Sequence, residues 1–195
     1  MKNVSSLLIL LLIGSLWGIV EILPIATFWY CALGILFLTI GRSLVPVFGT
    51  SVMLGLLVCL FKTASASFMV CQWAGVLSLA VSYEAMVYFV NSRVSNSTAQ
   101  SVLSGMGAVL LALPIFVVWV TLIAKHPYWI AGGWDRIIDY AVYTSAAAML
   151  LSAVLAPVGR LIGESLAESE LPQRAFSMWI SGVAIVLSWS IALFV

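Results

Sequence analysis

Charge is what this sequence has least of. Only 8% of its 195 residues are Asp, Glu, Lys or Arg, against about 25% in soluble domains. With 64% of the residues hydrophobic, this composition excludes an ordinary soluble fold and places the chain in the membrane class. A net charge of +1 leaves no basic surface for nucleic acid. The single histidine, His126, excludes haem held between two histidines. The three cysteines, Cys31, Cys59 and Cys71, lie in apolar runs with no CxxC spacing. They read as small membrane-core residues rather than a disulfide or metal ligands, so neither a metal nor a cofactor is expected. HExxH, GxSxG and a phosphate-cradling glycine loop are also missing, and no DxxxD-type paired-acid motif for prenyl or alcohol phosphotransfer is read. The serines of "YTSAAAML" and "SWSIALF" have no histidine near them and read as helix-packing polar groups. The sequence points away from an enzyme.

What is present is a succession of apolar runs, at roughly 5–23, 25–41, 44–61, 66–91, 101–124, 137–159 and 174–195. A spanning helix needs about 17–25 residues, and every run but the second is long enough. The second is short, and only Pro24 divides it from the first. It reads as a short helix, a re-entrant piece or part of a broken helix. The opening "MKNVSSLLILLLIGSLWG" starts like a signal peptide, but no small-x-small cleavage site precedes a polar start, so it reads as a retained first helix. The expected fold is an all-α, polytopic transmembrane helical bundle of six spans, with a seventh short or re-entrant segment. The whole of 1–195 forms a single integral-membrane domain, multi-pass in the plasma membrane. Polar connections are few. "NSRVSNSTAQ" (91–100) and the acidic "GESLAESELPQR" (163–174) are two. "KHPYWIAGGWDR" (125–136) reads as an interfacial loop with Tyr128, Trp129 and Trp134 at headgroup level. Counting Lys and Arg over seven spans favours a cytoplasmic N-terminus, five to three, and leaves the side of the C-terminus open.

Two acids stand inside apolar runs, Glu21 and Glu84, and no other acid precedes Asp135. A charged carboxylate at the centre of a spanning helix costs at least about 2.5–3.5 kcal/mol, so such groups usually face a bundle interior or a wet cavity. Gly14, Trp17, Gly18 and Glu21 follow i, i+3, i+4, i+7 spacing and share one helical stripe. Glycines four apart let a second helix approach closely, which serves either plain packing or docking. Glu84 has Ala80 and Tyr88 one turn away and Trp73 further back on its face. It reads either as a ligand-facing acid or as a protonated group bonded to a neighbouring helix. Trp17, Trp73, Tyr83, Glu84 and Tyr88 are the candidate pocket liners. Glu21, which joins them as a candidate ligand contact, alternatively ties helices together. Arg42 and Lys62 bracket the third run. They serve either as interface anchors whose stems snorkel or as charge partners of the two glutamates. Asp139 reads as a cap opening the sixth span, and Pro114 as a kink in the fifth.

"LWGIVE", closing the first helix, resembles the substrate-binding S components of energy-coupling factor (ECF) transporters for vitamins and other micronutrients. So do "GILFLTIGRSLVPVFGTSVMLGLLVCLFKTAS" in the next two runs and "GVLSLAVSYEAMVY" in the fourth. The resemblance covers about the first 90 residues. It implies six helices around a pocket that opens outward. It also implies a small-residue face on the first helix, matched here by Gly14 and Gly18, for docking to a transmembrane coupling subunit driven by an ATPase pair. Glycines stand where that family usually has alanines. The function expected is a membrane-embedded substrate-binding subunit with a small-molecule ligand. A structural or accessory subunit of a larger membrane complex is the second reading. A small membrane enzyme acting on lipid is the third, for which only 125–139 offers convergent polar groups.

Overall fold

The computed structural model describes residues 2–64, 70–168 and 182–190, with side chains from residue 6 onward. Among them the chain is all-α: α1 (Lys2–Ile22), α2 (Thr27–Leu44), α3 (Thr50–Thr63), α4 (Val70–Asn91), α5 (Ser97–Val118), α6 (Pro127–Asp139) and α7 (Ala146–Glu168). Residues 182–190 are also helical and are labelled α8. Two π-helical stretches, Trp119–Ile123 and Tyr140–Ser145, extend α5 and join α6 to α7.

Helices start and stop where local chemistry dictates. Pro24 cannot continue α1, and the Tyr30 hydroxyl pins the break by donating to the Leu23 carbonyl. The side chain of Asn96 caps α5, accepting from the Ala99 amide at 2.9 Å. Gly49 begins α3 with φ of +90°, a left-handed conformation open to glycine at little cost.

Close glycine contacts set the packing and give the helix directions. Gly14 and Gly18 of α1 face Leu57 and Phe61 of α3, so these two helices run parallel. Gly34 meets Trp17, and Gly41 meets Leu54 and approaches Ile13, which sets α2 antiparallel to α1. Gly55 lies on Ala80, so α4 turns back along α3, and Gly75 and Gly107 set α5 antiparallel to α4 through Phe116 and Met86. Gly159 and Gly163 bring α7 onto the α2 backbone, where an added Cβ would stand 2.7 Å from the Leu36 carbonyl oxygen and 3.1 Å from that of Ile40. Such small-residue contacts maximise van der Waals packing where little hydrophobic drive exists between apolar helices. The core they enclose centres on Trp17, Ile35, Leu38, Leu54 and Val58. Outward, large apolar side chains such as Leu110, Leu122, Leu150 and Leu161 are exposed.

Among the described residues, four helical stretches are long and apolar enough to cross a bilayer: Thr27–Leu44, Val70–Asn91, Ser97–Ile123 and Pro127–Glu168. Ser6–Ile22 and Thr50–Thr63 are shorter apolar helices. This corrects the sequence reading in three places. The supposed short second run is a full 18-residue helix, and the third run gives the short one, because the turn through Pro46 and Gly49 occupies its beginning. The stretch 125–136 is largely the helix α6 rather than a loop, since Pro127 sits at a first helical turn, where its missing N–H has no partner to lose. The acidic connection also begins later than expected, because α7 runs on through Glu168. The rest of that connection, with Arg174, lies outside the described residues.

Candidate ligand-binding cavity

One end of the bundle holds a cavity of about 930 Å³. It lies where α1 and α3 finish and where α2 and α4 begin. Glu21, Tyr30, Lys62 and Gln72 line it from these helices, and α5 and α6 complete the wall. The volume falls in the range of about 300–1,000 Å³ typical of small-molecule sites.

Its polar floor is an ion pair. The Lys62 ammonium donates to Glu21 Oε2 at 2.8 Å, and the Trp17 indole N–H donates to Glu21 Oε1 at 3.2 Å. Lys62 is 2% exposed and Glu21 8%. Lys62 therefore does not snorkel to a headgroup; its ammonium turns inward to the acid and lies 5.9 Å from the Tyr30 ring centroid. The parallel packing of α1 on α3 makes the pair. Gly18 lets Phe61 close on the α1 backbone, which draws the next residue, Lys62, up to Glu21.

The opposite wall is aromatic. Phe116, Trp129 and Tyr140 form a mutual cluster with ring centroids 5.2–5.4 Å apart. Three local departures from regular helix bring it together. The π-helical turn after Phe116 is closed by Ala124 N–H donating to Trp119 O at 2.8 Å. The second π-helix begins at Tyr140. Between them, Gly133 has φ of 55° and ψ of −150°, a conformation that side-chain-bearing residues rarely adopt, and it redirects α6. π-Helical insertions of this kind recur at functional sites. Asp135 and Asp139 lie on the same side of α6 and line the cavity as exposed residues, with no hydrogen bond or ion pair from their side chains among the described residues. Arg136 is occupied, its guanidinium stacked 3.6 Å over the Tyr128 ring and donating to the Tyr128 carbonyl at 2.7 Å.

At the other end of the bundle lies a second polar centre. Glu84 Oε1 accepts the Gly49 amide and Oε2 the Ser51 amide, each at 3.0 Å, and an Arg42 nitrogen stands 3.8 Å away. Glu84 thus caps α3 from a neighbouring helix, where orphan N–H groups and the helix dipole favour a carboxylate. Arg42 also donates to the Val47 carbonyl, holding the same turn.

Of the six residues that the sequence offered as ligand contacts, only Glu21 lines the cavity. Glu84 is committed to the α3 cap. Trp17 is fully buried behind Glu21, and Trp73 packs on the core. Tyr83 is buried with its hydroxyl donating to Thr39 Oγ1 at 2.9 Å. Tyr88 is 75% exposed on the outer surface. Both cations sit beside glutamates, Lys62 with Glu21 and Arg42 with Glu84. Gly14 and Gly18 do not form a free docking face, because Leu57 and Phe61 of α3 occupy it. Asp139 does not open a span; it ends α6. Tyr30, Gln72, Phe116 and Trp129 were missed as liners. A signal existed: the α6 residues that line the cavity recur at 128/129, 132, 135/136 and 139/140 across the kink at Gly133, and Asp135 and Asp139 have the DxxxD spacing that the sequence reading took to be absent.

Comparison with protein-family models, with curated proteins and with solved structures returned no match.

Proposed function

We propose that this chain is a multi-pass integral protein of the plasma membrane. We propose further that it is the substrate-binding subunit of an ECF-type importer for a vitamin or other small micronutrient. Transport then requires a transmembrane coupling subunit and an ATPase pair. The observation that carries the reading is the 930 Å³ cavity with its buried acid–base floor and aromatic wall at one end of an apolar bundle. Charge placement supports an outward mouth. Lys2, Arg42, Arg93 and Arg160 lie at the far end, and Lys62, Lys125 and Arg136 at the cavity end, four against three. The positive-inside rule then puts the far end in the cytoplasm. The glycine pair of α1 is filled by α3, so the coupling subunit docks elsewhere on the bundle. Native mass spectrometry of gently solubilised protein tests the proposal. A retained small molecule is expected. Its absence, together with no thermal stabilisation by any member of a vitamin panel, overturns the reading.

A small membrane enzyme is the second reading, favoured by the convergence of Asp135, Asp139 and His126 on the same cavity. Turnover of a lipid substrate by the isolated chain, lost on Asp139→Asn, is the result that selects it.

A further inference from the structure

The groups of the cavity that remain free to bond specify a ligand chemistry, and this inference rests on the binding-subunit reading above. Glu21 is partly committed. Each of its oxygens already accepts one hydrogen bond, from Lys62 and from Trp17, so its charge is neutralised and about half of its acceptor capacity is used. Lys62 is different. An ammonium carries three N–H donors, and among the described residues only Glu21 receives one. Its side chain is 3% exposed and lines the cavity, so the little surface it shows is at the cavity floor. Buried donors without partners are costly, and a ligand acceptor removes that cost. The floor therefore asks for a hydrogen-bond acceptor.

The α6 wall asks for the reverse. Asp135 and Asp139 are uncommitted carboxylates, whereas the one cation beside them, Arg136, is spent on the Tyr128 ring and carbonyl. Counting the charged liners, three carboxylates face two cations, so the cavity carries net negative charge. Phe116, Trp129 and Tyr140 pack largely on one another, with Phe116 and Trp129 each 8% exposed; the part of this cluster that meets the cavity adds π surface that favours a cation. An aromatic wall also accepts a planar ring by stacking.

We infer that the cavity selects a planar organic cation: an aromatic molecule with a protonated nitrogen held at Asp135 and Asp139 and a hydrogen-bond acceptor turned inward to Lys62. Anionic ligands of the same size are disfavoured by the carboxylates of α6, and neutral ones forgo the charge-assisted contact.

A matched probe series tests this on the detergent-solubilised full chain, read as the shift of melting temperature at equal probe concentration. Tyramine carries the cation, the ring and the acceptor. Phenethylamine lacks the acceptor, para-ethylphenol lacks the charge, and para-hydroxyphenylacetate reverses it. The expected order of stabilisation is tyramine, then phenethylamine, then para-ethylphenol, with para-hydroxyphenylacetate last. The Asp135→Asn, Asp139→Asn double variant changes exposed side chains, so its fold is expected to survive. It should weaken tyramine by about tenfold, the equivalent of one charge-assisted contact, and leave para-ethylphenol unchanged. The Glu21→Gln, Lys62→Met pair should abolish the advantage of tyramine over phenethylamine. Stabilisation by para-hydroxyphenylacetate equal to or above that by tyramine overturns the inference. So does an equal response to magnesium chloride, which would make the acids a metal site. A retained anionic molecule in native mass spectrometry overturns the inference while leaving the binding-subunit reading intact. No retained molecule and no shift from any probe overturns both.

Discussion

Removing Lys62 alone should be the most damaging single change at the cavity. Its ammonium and the Glu21 carboxylate are 2.8 Å apart and both are buried. At that separation and an effective dielectric of about 20, Coulomb's law gives an attraction of about 6 kcal/mol. Desolvating the two ions opposes this by several kcal/mol each, so the intact pair is close to neutral in net stability. Lys62→Met deletes the attraction but leaves Glu21 buried, with only the Trp17 indole beside its carboxylate. Loss of one member of a buried pair costs about 3–5 kcal/mol. For a chain of this size, about 2–4 °C of melting temperature corresponds to each kcal/mol, so the expected drop is about 6–20 °C. Glu21→Gln should fall less, because the glutamine side-chain oxygen can still accept a hydrogen bond from Trp17 or Lys62. The double variant should melt above Lys62→Met, because no uncompensated charge remains. The assay is a double-mutant cycle read by the summed fluorescence of the eight tryptophans during thermal melting in detergent. If both single variants melt within about 1 kcal/mol of the unaltered protein, or if the double variant is no better than Lys62→Met, the buried-pair reasoning is refuted.

Three further outcomes follow from the geometry. Glu84→Gln should destabilise the fold by about 1–3 kcal/mol, since it keeps one acceptor oxygen and puts an NH2 donor against the other backbone N–H of the α3 cap, yet ligand affinity should not change; a binding assay beside a melt separates the two. Gly18→Ala places a Cβ 2.5 Å from the Phe61 ring and should cost about 1–3 kcal/mol as overpacking. The same change at Gly14, where the nearest atom is 3.0 Å away, should be milder, and the reverse order in a melting comparison would contradict the α1–α3 register. Finally, a maleimide should modify Cys31 and Cys71, which line the cavity, before Cys59, which is buried in the core, and ligand should slow only the first two.

Most of the helical architecture was legible because apolar run length is a one-dimensional property. All seven runs correspond to helices among the described residues. The site was less legible because it depends on which helices touch. Glu84 looked ligand-facing from the polarity of its own run, yet its role is fixed by the amides of Gly49 and Ser51, more than 30 residues away in sequence. Glu21 and Lys62 could be named as charge partners, but the sequence left open whether the second run spans or re-enters, and with it whether α1 and α3 run parallel and bring them level. The α6 wall was misread for a different reason. Paired glycines at 132 and 133 argue for a loop, and only the tertiary setting shows helix on both sides of one non-helical residue. Propensity is a local average, whereas a single strained glycine is a local exception that packing has to support.

The parallel pairing of α1 with α3 also constrains how the protein is made. Glu21 is synthesised 41 residues before the lysine that neutralises it. In a bilayer, α1 therefore arrives with an unanswered acid, and α2 arrives with no basic residue near that end. Only when α3 follows does the charge find its partner. If the helices form in chain order, the smallest unit in which Glu21 has its partner is therefore α1 to α3.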